Sequence, residues 1–163
     1  MSKYETLSLV LQVVVAVAAF VTLAFLYRQL RAMVDQITAT QESSRAQSAM
    51  AIVSFLQSAE ARASRQCVRA ILSSKPHTEW SEEEKAHASL VCANYDVIAS
   101  LLKANLAPIE LFVANWGPSI SHCHQVLSPY MVELRAKPGA HPAYWSNFDW
   151  LHAKVQAEPK RVP

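Results

Sequence analysis

Glycine is nearly absent from this chain: Gly117 and Gly139 are the only two in 163 residues. That scarcity excludes a glycine-rich phosphate cradle and a dinucleotide fingerprint, and it leaves few of the tight turns a many-stranded sheet requires. Cysteine is sparse as well. Cys67, Cys92 and Cys123 are widely spaced, with no C-x-x-C pair, so they suggest neither a disulfide framework nor a zinc knuckle and read as reduced, buried thiols. Charge is equally thin. Only 17% of residues are charged and the net charge is +2, too small an excess to indicate nucleic acid as a partner.

What the chain has in quantity is apolar residues, 52% of the total, with the excess concentrated in the first 27 positions. Residues 7–27 read LSLVLQVVVAVAAFVTLAFLY, without one charge. About 20 residues at 1.5 Å rise span roughly the 30 Å of a bilayer core, so this run predicts a transmembrane helix. A cleaved leader is the alternative, with Ala16, Ala18 and Ala19 imitating a cleavage site, but the run continues past those alanines. Arg28, Arg31 and Arg45 follow the run, whereas Lys3 precedes it beside Glu5. By the positive-inside rule the N-terminus lies outside and the C-terminal part in the cytoplasm.

Inside the run, Ser8, Gln12, Ala16 and Ala19 are spaced by four, four and three and share one helix face. Small side chains let backbones approach, and a Gln amide in hydrocarbon gains from a partner, so this stripe predicts a helix–helix interface. A lone lipid-facing helix is the alternative. Beyond the run no Gly or Pro occurs up to Ser74, which allows one long helix or two with a break. Leu30, Met33, Val34 and Ile37 keep an apolar face for two turns, and the polar stretch TATQESSRAQS follows, so residues 28–48 read as a helical stalk or a linker. Residues 1–6 and 158–163 are expected to be tails.

A helical domain is expected over 49–157. Ile52, Phe55, Leu56, Ala59, Ala63, Ala70 and Ile71 supply its first apolar face, and Arg62, Arg65 and Arg69 form a basic stripe opposite. That stripe is a candidate contact for phosphate or anionic lipid, or simply a solvated face. Ser81 and Glu84 make a capping-box pattern opening a helix to about Ala104, its buried face lined by Leu90, Val91, Asn94, Ile98, Leu101 and Leu102 with Tyr95 at the edge. Pro108 suits a first turn for 109–114, and Gly117-Pro118 is expected to stop the chain before a helix reaching about Lys137, kinked near Val126 by Pro129. Pro142 is expected to open the last helix, with Tyr144, Phe148, Leu151 and Val155 as its core stripe and Trp145 and Trp150 packing beside it.

Together these features describe an all-α protein: one N-terminal transmembrane helix continuing into a stalk and a small cytoplasmic helical bundle. Over 94–135 their order resembles a bacterial family known as a domain of unknown function, number 4760 in its series. Tyr95, Ile98, Leu101 and Leu102 are similar to its aromatic and aliphatic helix, and Leu106, Ile109, Glu110 and Leu111 to its short connection. Trp116, Ile120, Leu127, Pro129 and Arg135 continue the resemblance. Asn105 stands where the family carries a Gly, and Cys123-His124 where aromatics are common. The resemblance implies an N-terminal membrane helix, a helical cytoplasmic domain and location in the inner membrane of a bacterium. It carries over no catalytic residue.

His122, Cys123 and His124 are three candidate metal ligands in a row, but adjacent helical residues lie about 100° apart, whereas chelation on a helix needs i, i+3 or i, i+4. No G-x-S-x-G occurs, and Cys67 and Cys123 fall inside helices instead of at a helix start. Asp96, with Ser89 and Lys103, reads as a polar face; Glu110 and Glu133 near Trp116 are the remaining carboxylates of interest. The leading reading is a non-enzymatic, membrane-anchored accessory subunit, with no cofactor, that docks by its stripe on another transmembrane protein. A membrane-tethered enzyme or metal-binding regulator using His122, Cys123 and His124 is the alternative. A second copy of the chain is a further candidate partner, through a coiled-coil stalk, although the polar gap at 38–48 argues against a continuous seam.

Overall fold

A computed structural model describes the backbone of residues 3–157 and the side chains in that range other than those at positions 3, 5, 6, 9 and 10. The tail expected at 158–163 and the first two residues of the N-terminal tail lie outside it. Among the described residues there is no strand, and the protein is all-α. Five helices follow one another: α1 (Lys3–Leu56), α2 (Ala59–Ala70), α3 (Glu82–Lys103), α4 (Ile109–Ala136) and α5 (Ser146–Ala157). Two single 3-10 turns, Leu72–Ser74 and His77–Glu79, join α2 to α3. The chain divides into two compact units, Met1–Ser44 and Arg45–Pro163.

In the first unit α1 is already helical at Lys3, ahead of the apolar run. Every described side chain of this unit is exposed. Three of its threonines turn inward on the helix: Thr22, Thr38 and Thr40 donate to the carbonyls of Ala18, Val34 and Gln36 at 2.8, 3.0 and 2.8 Å, which satisfies each hydroxyl without a partner segment.

The second unit begins with the last turns of α1, where Ala49, Ile52 and Leu56 enter the core. The helix then breaks at Ser58, whose extended backbone and side-chain oxygen cap α2 by accepting from the Ala61 amide at 3.3 Å. That break resets the helical register and corrects the expected face. The buried side of α2 is Ala61, Ser64, Arg65 and Val68, while Phe55, Ala59, Ala63, Ala70 and Ile71 are exposed.

Helix α3 opens on the expected capping box: the Glu84 amide donates to Ser81 Oγ at 3.2 Å, and the Ser81 amide donates to Glu84 Oε2 at 2.7 Å. It closes at Asn105, which sits in the left-handed region at φ 58°. The Leu106 amide reaches back to the Leu101 carbonyl at 3.1 Å and the Asn105 amide to that of Leu102 at 3.0 Å, the paired bonds of a Schellman end. This conformation favours Gly and tolerates Asn. Tyr95 is not at the edge of the buried face: it is 1% exposed, stacked on Phe148 with ring centroids 5.0 Å apart.

Helix α4 overturns the expected stop at Gly117-Pro118, for it runs unbroken through both Pro118 and Pro129. Each proline forfeits a hydrogen bond to the residue four before it, at a cost of about 3 kcal/mol. Both prolines lie on the exposed side, as do Ala114 and Gln125, where water can take up the lost bonds. On the other side Phe112, Ile120, Cys123, Leu127 and Met131 are almost wholly buried, which offsets the loss. Gly117 acts as a contact point, since a Cβ there would stand 3.3 Å from Val155 Cγ1 of α5.

The last helix starts at Ser146, later than the expected Pro142. Residues between Lys137 and Ser146 form successive turns closed by the amides of Ala140, Tyr144 and Ser146, and Trp145 is held at φ 58°. Positive φ is strained for a bulky residue. The indole is 7% exposed, against the rings of Tyr130 and Tyr144. Tyr144 therefore leaves the expected stripe and is 48% exposed, whereas Phe148 and Leu151 are fully buried. Helices α3 and α4 each pack on both α2 and α5, and on each other, giving a small bundle around Val68, Val91, Tyr95, Ile120, Leu127 and Phe148.

Candidate functional site

Ser8, Gln12, Ala16 and Ala19 lie in the first unit on α1, all exposed. Their spacing on a continuous helix puts them on one face, surrounded by larger apolar side chains. Val13, Val14, Val15, Val17 and Phe20 are 54–75% exposed, so the segment is apolar all round.

Arg62, Arg65 and Arg69 of the second unit do not form one solvated stripe. Arg62 and Arg69 are exposed, but Arg65 is 4% exposed. The Arg65 guanidinium donates to the Leu56 carbonyl and lies over the Trp116 ring, 5.1 Å from its centroid. Leu56 ends α1, so this cation satisfies an orphan carbonyl at the negative end of a helix dipole. Burial pulls the Arg65 pKa down, with Arg69 and Arg62 adding to that, and Tyr95 opposes them. Arg69 donates to Ser119 Oγ at 2.7 Å, and the same oxygen is 2.9 Å from the Tyr95 hydroxyl. Two of the three arginines thus join α2 to its neighbours.

His122, Cys123 and His124 diverge as their 100° steps require. His122 is exposed and borders a cleft of about 440 Å³ with His77 and Trp80. Cys123 is fully buried; burial pushes its thiol pKa up, and that of Cys92 likewise. His124 faces α5. Among the described residues no three His, Cys, Asp or Glu side chains are grouped to hold a metal ion.

The densest polar cluster is where His124 meets α5, and there sequence spacing found one member of four. His124 Nε2 donates to Asp149 Oδ1 at 2.8 Å, and Arg135 donates to Asp149 Oδ2 at 2.6 Å and to the Tyr144 carbonyl at 2.7 Å. The His152 ring stacks on that of His124, centroids 4.0 Å apart and planes within 9°. Gln156 Nε2 lies 3.1 Å from His152 Nε2 and 3.2 Å from Ser121 Oγ. A groove of about 730 Å³ runs along these residues past Ser128 and Val132. Asp149 fixes the His124 tautomer, but its own charge is engaged by Arg135, so the arrangement ties α5 to α4 instead of activating a nucleophile. The signal available in sequence was the i, i+3 pair Asp149 and His152 on the α5 face beside Phe148.

This cluster predicts an acid sensitivity. Burial lowers the His152 pKa from 6.5, and the adjacent His124 lowers it further, while Asp149 opposes both. A base whose folded pKa is depressed is protonated more readily in the unfolded chain, so its stabilisation is present above about pH 6.5 and is lost as pH falls through the lower folded value. Thermal melts between pH 7.5 and 5 are expected to show H152Q losing less stability on acidification than the parent, by at most about 1.4 kcal/mol per pH unit for one proton. Equal slopes for the two chains would remove His152 from the account.

The carboxylates rearrange as well. Asp96 is more than a polar face: it accepts from the Asn147 amide at 2.8 Å, the Phe148 amide at 3.2 Å and Asn147 Nδ2 at 3.2 Å, capping α5 from a neighbouring helix. Sequence could not show this, because the cap is 51 residues away. Glu133 bonds His77 at 3.0 Å and Lys137 at 3.4 Å. It sits 23 positions from Glu110 on α4, about 35 Å at 1.5 Å per residue, so the two form no catalytic pair.

No curated protein and no solved structure matches the chain. A family model described as a domain of unknown function (DUF4760) matches residues 6–155, nearly the whole sequence, including the apolar segment of α1 and the bundle helices up to the last two residues of α5. The chain therefore belongs to the DUF4760 family.

Proposed function

We propose that this protein is a membrane-anchored, non-enzymatic interaction protein: a small accessory subunit held in a bacterial inner membrane by residues 7–27, with its helical domain on the cytoplasmic side. The observation that supports this reading is the α1 segment itself, a helix long enough to cross a bilayer, with mean hydropathy 2.0 in its most apolar window and none of that window buried. An apolar surface on every side of a helix is stable only in lipid or against a partner. Arg28 and Arg31 behind the segment support this orientation by the positive-inside rule. In the bundle, Arg65, Asp96, Asp149 and Arg135 are each spent on helix ends or helix–helix bonds. The competing reading, chemistry centred on His122 to His124, draws no support from three side chains that point apart.

The test is alkaline extraction of membranes from cells making the chain with different tags at its two ends. Retention in the pellet at full mass, with both tags present, is expected; release to the supernatant, or loss of the N-terminal tag by cleavage, overturns the anchor. A membrane-impermeant maleimide should then label a cysteine at position 2 in intact cells and spare one in place of exposed Thr78 until the cells are opened.

A further inference from the structure

We infer that the membrane partner of α1 is a second copy of this chain, paired in parallel along a heptad seam over residues 12–37. The inference rests on the anchored reading above and names the partner for the same helix face. Gln12, Ala16, Ala19, Leu23, Leu26, Leu30, Met33 and Ile37 succeed one another by 4, 3, 4, 3, 4, 3 and 4 residues. This is the 3.5-residue period of a left-handed coiled coil, and α1 is one unbroken helix across all of it. The seam does not end with the apolar run. Behind it, over residues 28–37, Leu30, Met33 and Ile37 remain on the seam, 62%, 58% and 55% exposed, and the one other large apolar side chain in that range, Val34, flanks them.

Two features select a copy of the same chain over an unrelated helix. The first is charge. With Leu23, Leu30 and Ile37 as a positions, Arg28, Asp35 and Glu42 fall at f and Arg31 and Arg45 at b, the outward positions. The flanking e and g positions from 22 to 41 hold Tyr27, Val34, Thr22 and glutamines, so identical helices meet without like charges opposed. The second is register. The seam crosses the membrane boundary near Tyr27, and only a partner whose heptads cross at the same level keeps both halves in phase; a second copy inserted the same way does so by construction. It also sets Gln12 opposite Gln12, where each amide can bond its equivalent in hydrocarbon, and Ala16 and Ala19 opposite their equivalents, where the backbones come close. The seam stops after Ile37, where the polar stretch begins, and Thr40 at the next seam position is bonded to its own backbone.

Single cysteines placed at Leu30, Met33 and Ile37, and at Arg31 and Asp35 as outward controls, test this in membranes carrying the full chain. Copper-phenanthroline oxidation is expected to give several-fold more disulfide-linked product at 30, 33 and 37 than at 31 and 35, at twice the mass of the chain. The chain without an added cysteine supplies the background from Cys67, Cys92 and Cys123. Uniform cross-linking, a maximum on the outward face, monomer only, or a product of any mass other than a multiple of this chain overturns the pairing. Alkaline extraction of the same membranes separates the two readings: a retained monomer refutes the pairing alone, and a released chain refutes the anchor. L30D combined with I37D is expected to abolish the cross-link from position 33 while the circular dichroism of the purified chain stays helical.

Discussion

Replacing Val14 and Val17 together by arginine is expected to shift the chain from the alkaline-resistant membrane pellet to the supernatant or to degradation. Both positions are near the middle of the apolar run, and both are outside the seam of Gln12, Ala16 and Ala19, so they face lipid in the anchored reading. An arginine at the centre of a membrane helix costs about 2.5–3.5 kcal/mol on insertion scales, and two at midspan add to about 5–7 kcal/mol. The apolar side chains of the segment each contribute only about 0.3–0.6 kcal/mol on the same scale, so two charges cancel the contribution of a dozen or more of them. Substituting V14L and V17L, which keeps the surface apolar, is expected to leave the pellet fraction unchanged. If V14R/V17R stayed in the pellet with a native helical spectrum, the segment would be held by protein contacts instead of lipid, and the seam residues would become the place to introduce charge.

The long apolar helix at the N-terminal end, the all-α class and the capping box at Ser81 were legible from local signals, because each depends on nearby residues: an uncharged apolar run, the lack of Gly and Pro, a Ser with Glu three places on. The departures share a different cause. Gly117-Pro118 signals a stop only when the helix is judged alone; burial of Phe112, Ile120 and Leu127 on the opposite side, and the close approach of Val155, carry α4 through it. The register of α2 turned on Ser58, a cap with no apolar neighbour pattern to announce it. Arg65 read as surface charge because its two partners, the end of α1 and Trp116, are respectively nine and fifty-one positions away. Likewise the Asp96 cap and the cluster of His124, Asp149, Arg135 and His152 exist only once α3, α4 and α5 are packed. Sequence spacing identified His124 as notable for the wrong reason, its neighbours in the chain, when its significance lies in the helix opposite.

The second large effect concerns that opposite helix. F148A is expected to destabilise the bundle by about 3–5 kcal/mol, the usual cost of emptying a buried Phe site. Phe148 is fully buried between two helices, stacked on Tyr95 at 5.0 Å and met edge-on by His124 at 5.1 Å. Its amide is one of those capped by Asp96. The void would thus open beside the Asp96 cap of α5 and beside the ring that bonds Asp149, so loss of the side chain loosens two attachments of a helix of 12 residues. Against a typical total of about 5–15 kcal/mol for a domain, this is enough to lower the melting temperature by roughly 10–20 °C. V97A on the exposed side of α3, where Val97 is 52% accessible, is expected to change stability by less than about 0.5 kcal/mol. Hydrogen exchange should show where the loss falls: in F148A the amides of α5 exchange faster than those of α3, because α5 is held by Phe148, Leu151, the Asp96 cap and the Asp149 bonds, whereas α3 also packs on α2 and α4. Uniform acceleration across all four bundle helices would instead make α5 an inseparable part of one cooperative core.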